Sequence, residues 1–202
     1  KADNFNYQGE TDENNNVYSL PINISASDLR VTSTNAPTSA ILGETVELTW
    51  TVTNNGTGTA SQDWYDRVYL SSNQTLDSND VQVTSEWIAT QTPLATGANY
   101  TISKNITLPS FTPGNQYLLF VTDQSNSQGE VNENNNIAAV PITLTAPDLI
   151  VSNASVPATG TVGKSIEVSW TVQNQGTTAA STDWYDWVYL SNDPVFDANA
   201  DT

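Results

Sequence analysis

The chain has 202 residues, with 22 acidic side chains against five Lys and Arg, a formal net charge of −17 and no His. A surface this acidic repels nucleic-acid phosphates and anionic lipid headgroups, so we expect neither partner. The sequence has no Cys, which excludes disulfides, thiolate nucleophiles and Cys-ligated zinc, and no apolar run reaches the roughly 18 residues of a membrane span.

The sequence repeats itself with a period of 120 residues. QGETDENNN at 8–16 returns as QGEVNENNN at 128–136, and residues 1–82 align with 121–202 without a gap at 36 identical positions. Self-similarity at a fixed period predicts an array of equivalent modules. We therefore predict that residues 1–27 are the C-terminal part of a preceding repeat, 28–147 one complete module, and 148–202 the N-terminal part of a following repeat. We therefore expect the chain to be part of a longer array.

Alternation of apolar and polar residues dominates the complete module. It predicts seven strands, here lettered as in an immunoglobulin domain: A (28–34), B (44–54), C (62–71), C′ (80–89), E (98–108), F (115–123) and G (136–145). Gly, Pro, Asn and Asp separate these runs, as they do in turns. The pattern predicts an all-β, immunoglobulin-like sandwich, with Trp50 at the centre of the core and Tyr117 as a tyrosine corner.

The same segments resemble a known family. APDL at 146–149, GETVELTWTVTNNGTGTA at 43–60, DRVYLSSNQTLDSND at 66–80, PGNQYLLFVTD at 113–123 and GEVNENNN at 129–136 are similar to the CARDB family, the cell adhesion related domain found in bacteria. The resemblance implies immunoglobulin-like modules strung together in large secreted or surface proteins. It implies no catalytic activity.

The loop between F and G is the first candidate cation site. Calcium binds six to eight oxygen atoms from carboxylates, amides and carbonyls, and Gly9 and Gly129 let the backbone turn. The candidate ligands are Asp123, Glu130, Asn132, Glu133 and Asn134, with Asp3, Glu10, Asp12, Glu13 and Asn14 in the preceding copy. The alternative is purely structural, because Asn135 and Asn136 also suit a turn that starts strand G.

The loop between C and C′ is the second candidate. Asp197, Asn199 and Asp201 have the one-three-five spacing of a calcium loop, whereas Asp77, Asn79 and Asp80 are one residue too closely spaced for it. Asp193 precedes the first group. The alternative is a solvated hairpin loop.

Sandwich topology suggests where these loops lie in an array. The start of A and the F–G and B–C loops share one pole, and the C–C′ loop lies at the other. The hypothesis is that calcium cross-links consecutive modules at the joint between them. At the joint after the complete module, Asp77, Asn79 and Asp80 would face Asp148 and Asp183. At the preceding joint, the candidates are Asp28 and Asp63. Because the linker is short and contains Pro147, the joint should be semi-flexible even without metal.

Three functions remain in competition. An enzyme is disfavoured because there is no His, Cys or phosphate-binding Gly loop. A carbohydrate-binding module is the alternative that the aromatic residues of C and C′ suggest: Trp64, Tyr65, Tyr69 and Trp87, with Trp184, Tyr185, Trp187 and Tyr189 in the next copy. The favoured interpretation is a non-enzymatic, extracellular or cell-surface rod or filament stabilised by calcium, whose partners are neighbouring repeats, like chains or a surface ligand.

Overall fold

A computed structural model describes residues 1–198, and every regular element in that range is a β-strand. The strands are β1 (Leu29–Asn35), β2 (Ser39–Ile41), β3 (Thr45–Asn54), β4 (Trp64–Ser71), β5 (Val81–Ile88), β6 (Asn99–Thr107), β7 (Gly114–Val121), β8 (Ile137–Thr145), β9 (Leu149–Ser155) and β10 (Ser169–Asn174). The described residues accordingly include no helix that could span a membrane.

Strands β1 to β8, residues 29–145, form a two-sheet sandwich, which we call the module. One sheet has the order β1-β3-β6 and the other β2-β8-β7-β4-β5, and every pairing is antiparallel except β2 with β8. The seven long strands β1 and β3 to β8 correspond to the predicted strands A, B, C, C′, E, F and G, so the predicted fold class is confirmed. The three-residue β2 was not predicted, because so short a run shows no period.

The core forms where the alternating residues of both sheets meet. Leu48, Trp50 and Val52 on β3 are buried, and the Trp50 ring lies 5.9 Å from the ring of Phe120 on β7. Burying rings of this size dominates the stability of a small sandwich. The prediction of Trp50 as the central core residue is confirmed.

Tyr117 does not form a tyrosine corner. Its neighbour Leu118 is buried in the core, and successive residues of a strand point to opposite faces. Tyr117 therefore lies on the outer face of its sheet, where its hydroxyl accepts a 3.4 Å hydrogen bond from Nε2 of Gln74.

Two open edges of the sandwich lie beside each other at β5 and β6. Lys104 occupies the same side of β6 as the core residues Tyr100 and Ile106, and its ammonium pairs with Glu86 of β5 at 2.6 Å. Charged side chains directed inward at a sheet edge hinder pairing with a second edge. The ion pair therefore hinders a strand of another molecule from pairing with this edge.

Residues after Thr145 repeat the start of the module. Leu149 pairs with Asn174 and Val151 with Val172, as Leu29 pairs with Asn54 and Val31 with Val52, and both pairs of strands carry a bulge at the same place. The register is therefore the same in the two segments.

Candidate functional site

The F–G loop begins with an aspartate that closes a turn. Asp123 is fully buried, has a left-handed φ of 41°, and accepts hydrogen bonds of 2.8 Å from the amides of Ser127 and Gln128. Asp3, at the equivalent position, has a φ of 35° and accepts 2.9 Å bonds from Tyr7 and Gln8. Aspartate tolerates this backbone conformation because its side chain can bond the following amides. Both carboxylates therefore serve as turn closures.

Glu130 joins this loop to the first strand. Its Oε1 accepts a 2.6 Å bond from the amide of Leu29, and its Oε2 accepts a 2.7 Å bond from the side-chain amide of Asn136. Burial, with smaller contributions from the charges of Glu133 and Asp123, raises the pKa of Glu130 to about 7. The carboxylate thus connects the start of β1 to the start of β8 through these two hydrogen bonds.

The other predicted ligands of this loop bond to their own neighbours. Glu133 accepts from the amide of Glu130 at 3.4 Å, and Asn132 accepts from the amide of Asn134 at 3.1 Å. In the preceding copy, Glu13 accepts from Glu10 at 3.3 Å and Asp12 accepts from Asn14 at 2.9 Å. The two loops therefore share one hydrogen-bond pattern, and that pattern accounts for the repeated acidic phrase as turn chemistry.

The C–C′ loop is held in the same way. Asp77 Oδ1 accepts a 2.7 Å bond from the amide of Asn79, which lowers the pKa of Asp77, while Asp80 accepts from the amide of Asp77 at 2.8 Å. Asn73 closes the preceding turn through the amide of Thr75. Asp193, the counterpart of Asn73, accepts a 2.8 Å bond from Val195. Asp197 belongs to the same loop, whereas Asn199 and Asp201 lie outside the described residues.

The path of the C–C′ loop differs from the expectation. It leaves β4 at the pole where β8 ends, but Leu76 lines a surface pocket together with Val121, Asp123 and Glu133. Val121 is buried although it lies on the outer face of the sheet. The loop therefore folds back over the sheet, because an apolar side chain in it can cover apolar residues there.

Three of the four predicted joint residues, Asp28, Asp63 and Asp148, bond to residues of their own segment. Asp28 accepts a 2.9 Å bond from the side chain of Asn135, and Asp63 accepts the hydroxyl of Thr92. Asp148 accepts a 2.8 Å bond from the side chain of Gln175. The pocket at the joint is lined by the turn between β2 and β3, by the linker and by residues before Asp183: Ile41, Leu42, Gly43, Glu44, Pro147, Ala179, Ser181 and Thr182. Asp77, Asn79 and Asp80 are not part of that lining.

The acidic side chains are too dispersed to form a metal centre in the described residues. Among residues 1–198, no three carboxylates come together as a group that could hold a metal ion. The carboxylates of Asp123 and Glu130 already accept bonds on both oxygen atoms. The described arrangement does not fit a preformed calcium site, and calcium stays a prediction from the sequence.

A buried carboxylate that the sequence analysis missed lies at the centre of the module. Asp66 accepts hydrogen bonds from the indole N–H of Trp50 (2.8 Å), the indole N–H of Trp64 (3.1 Å) and the hydroxyl of Tyr100 (2.8 Å). Burial raises the pKa of Asp66, although these bonds favour its charged form. The signal was present, because Asp66 shares the inward parity of Trp64 and Val68 on β4.

The same bonds recur 120 residues later. Asp186 accepts from Trp170 at 2.9 Å and from Trp184 at 3.1 Å. Trp64 is fully buried in this arrangement, so it is not available to a sugar, contrary to the carbohydrate-binding alternative. Tyr65 and Trp87 remain on the outer face, 38% and 49% exposed.

The solved structures that resemble this chain share low sequence identity with it. No curated protein matches the chain. Among solved structures, the CARDB domain of a Pyrococcus furiosus protein, crystallised with di-metal ions, matches with 20% identity and a TM-score of 0.46 over 61% of this chain and 97% of that chain. The solution structure of the same domain gives 20% identity and a TM-score of 0.46 over 60% and 97%. A mutant β-glucosidase from Listeria innocua, in complex with laminaribiose, matches with 16% identity and a TM-score of 0.38 over 59% of this chain and 16% of its own.

The family model named CARDB matches two stretches, residues 26–140 and 146–201, which together span most of the chain. The first stretch contains β1 to β7 and the start of β8, and the second contains the segment in which the strand register and the Asp-Trp bonds recur. The chain belongs to the CARDB family.

Proposed function

We propose that this chain is a non-enzymatic, extracellular segment of a bacterial surface protein, in which CARDB units follow one another as a stiff rod that serves adhesion. Its immediate partners are the neighbouring units of the same chain. The observation that carries the proposal is the shortness of the joint after β8.

The joint has only two residues between Thr145 and Asp148, which are both held by backbone hydrogen bonds. The carbonyl of Thr145, the last residue of β8, accepts a 2.9 Å bond from the amide of Leu42. The amide of Asp148 donates a 3.0 Å bond to Asn174, and the carbonyl of Asp148 accepts a 2.8 Å bond from the amide of Gln175. Only Ala146 and Pro147 intervene, and proline fixes its own φ. A joint of this kind supports limited bending between units.

The segment that follows the linker also packs against it. At Gly176, an added Cβ would lie 2.5 Å from the amide nitrogen of Asp148 and 2.7 Å from the carbonyl of Ala146. The backbone approach therefore requires glycine. Gly56 makes the same approach to Ser27 and Asp28 at the start of the complete module. The linker is packed against the unit that it precedes in both places.

The acidic loops support a structural function and not a catalytic one. Each carboxylate with a stated hydrogen bond in the F–G and C–C′ loops accepts from a nearby amide. Calcium at these loops is not part of the proposal, because among residues 1–198 the carboxylates of Asp123, Glu130 and Glu133 do not form a group that could hold a metal ion. Since their oxygen atoms are largely engaged, we expect the rod to be stiff without it.

The test is small-angle X-ray scattering on a two-module chain, with residues 28–147 followed directly by a second copy of themselves. The native sequence of the joint is then preserved. The matched control carries a Gly-Ser insertion between Ala146 and Pro147, which should behave as a flexible linker. We expect the native joint to give a longer maximum dimension and a narrower distance distribution than the insertion, in EGTA as in calcium. Identical scattering from the two chains would overturn the stiff-rod proposal.

A further inference from the structure

The outer face of β4 and β5 has a composition unlike the rest of the molecule. Three cross-strand pairs occupy it: Tyr65 with Trp87, Arg67 with Ser85, and Tyr69 with Gln82. These positions alternate with core residues of β4, so their side chains leave the sheet on the side away from the core. We call these six residues the C–C′ face.

Aromatic rings form the exposed end of the C–C′ face. The ring centroids of Tyr65 and Trp87 are 4.6 Å apart at an angle of 51°, and the guanidinium carbon of Arg67 lies 5.1 Å from the Tyr65 ring. About half of Trp87 is in contact with solvent. Exposed apolar surface of this kind marks interaction sites, and Trp, Tyr and Arg are the side chains that dominate binding surfaces.

Polar groups are fixed beside these rings. Oε1 of Gln124 accepts bonds of 2.6 Å from both Nη1 of Arg67 and the hydroxyl of Tyr69, and the same hydroxyl lies 3.4 Å from Oε1 of Gln82. The guanidinium and amide groups are thus oriented before any ligand arrives. A site with aromatic surface and a few positioned hydrogen-bonding groups is typical of small-molecule and sugar recognition.

The charges on and around the C–C′ face indicate which class of ligand it can bind. The chain carries 22 acidic residues, yet the three pairs of the C–C′ face include only one charged group, the cation of Arg67. The carboxylates next to them along the strands are engaged elsewhere: Asp66 in the core, Glu86 with Lys104, and Asp63 with Thr92. A polyanion is repelled by the net charge of −17, whereas a neutral chain of hydroxyl groups is not.

We propose that the C–C′ face binds a neutral polysaccharide. The C–H surface of a sugar ring packs on Trp87 and Tyr65. The hydroxyl groups of the sugar accept hydrogen bonds from Arg67, and they donate to or accept from the hydroxyl of Tyr69. The proposal does not depend on the stiffness of the rod, because the whole site lies within one module.

The positions equivalent to Tyr65, Arg67 and Tyr69 are all aromatic in the following segment. Tyr185, Trp187 and Tyr189 stand 120 residues after Tyr65, Arg67 and Tyr69. The rings of Trp187 and Tyr189 are 6.4 Å apart and inclined by only 28°. Sites repeated along a rod act together on one polymer, so weak binding at each face is sufficient for strong attachment. This last step does rest on the proposed rod.

The experiment is affinity electrophoresis of the full chain in native gels that contain one polysaccharide each. The neutral probes are xylan, hydroxyethylcellulose and galactomannan, and alginate is the polyanionic probe. The variants are Trp87→Ala, Trp87→Phe, which retains a ring, and Tyr18→Ala, which removes a more exposed aromatic ring (84% against 49%) far from the face in sequence. Circular dichroism confirms that each variant is folded.

We expect at least one neutral gel to retard the chain and alginate not to retard it. Trp87→Ala should weaken the retardation at least tenfold, Trp87→Phe should retain most of it, and Tyr18→Ala should leave it unchanged. The proposal is overturned if no neutral gel retards the chain, or if Trp87→Ala and Tyr18→Ala behave alike. It is also overturned if the gels show no retardation while Trp87→Ala abolishes a self-association seen by sedimentation, because the face is then a contact between copies.

Discussion

The carboxylate of Asp66 accepts a 2.8 Å hydrogen bond from the indole N–H of Trp50, across the centre of the sandwich. Trp50 belongs to the three-stranded sheet and Asp66 to the five-stranded sheet, so this bond joins the two layers. Asp186 and Trp170 repeat it at 2.9 Å. The layers of the module are thus held by a polar bond as well as by apolar packing.

Replacing Asp66 by Leu should destabilise the chain strongly. The variant removes the acceptor of two buried donors, on Trp50 and Tyr100, and leaves the Trp64 indole only its 3.2 Å bond to the Tyr100 hydroxyl. Each unsatisfied group costs about 1–3 kcal/mol. We expect a loss of roughly 3 kcal/mol or more in the free energy of unfolding, measured with urea. Asp12→Leu, at an exposed position, is the control. A loss below about 1 kcal/mol for Asp66→Leu would contradict the role of this network.

Glu130 should make stability depend on pH. Its pKa in the folded chain is raised to about 7 from an ordinary value of 4.5. The folded state therefore holds a proton that the unfolded state releases, so this contribution is complete below pH 4.5 and is lost as the pH rises through 7. In Glu130→Gln the contribution is absent.

Unfolding curves of both chains from about pH 4.5 to 8 check this. The native chain should lose stability relative to Glu130→Gln across that window. The variant should fold, because Oδ1 of Asn136 finds no partner among residues 1–198 and can accept from the new amide if the Asn136 side chain turns over. A constant difference between the two chains at all pH values would show that Glu130 does not titrate there.

Gly56→Ala should weaken the module. The new methyl group would meet the backbone of Ser27 at 2.5 Å and of Asp28 at 2.6 Å, and overpacking of this kind costs typically about 1–3 kcal/mol. Gly9→Ala is the matched control, because an added Cβ there has nothing within 4 Å. Thermal unfolding should show a lower midpoint for Gly56→Ala only; equal midpoints would remove the argument for a packed linker.

Calcium should have little effect on stability. The carboxylates of Asp123 and Glu130 already accept amide bonds on both oxygen atoms. We expect thermal midpoints in EGTA, in a few millimolar calcium and in magnesium to agree within about 2 °C. A calcium-specific rise of many degrees would restore the metal site predicted from the sequence, and Glu133→Gln or Asp77→Asn would then identify the loop.

Lys104→Val should promote association without unfolding the chain. An ion pair at the surface contributes only about 0–1 kcal/mol, so the stability should change little. The edge strand β6 loses its inward charge, however, and becomes available to a second strand. Light scattering during prolonged incubation should rise for Lys104→Val and not for Lys1→Val.

The sequence predicted the strands well and the side-chain bonds less well. Alternation placed all seven long strands because each has one buried face, as in β3 with Leu48, Trp50 and Val52. It could not place Tyr117 correctly, since the position of a tyrosine after a Pro-Gly turn does not tell which face it occupies. The acidic loops were interpreted as cation ligands because composition shows which oxygen atoms are present, but not that backbone amides already occupy them.

The parallel pairing of β2 with β8 determines how the module carries tension. The chain arrives at the pole of the F–G loop, where Leu29 bonds Glu130, and leaves at the opposite pole after Thr145. A pulling force on the two ends therefore drags β2 and β8 in opposite directions along their length. Their hydrogen bonds are loaded together in shear, so they must break together and not one after another. Short as it is, β2 is the element that would set the force at which the module unfolds.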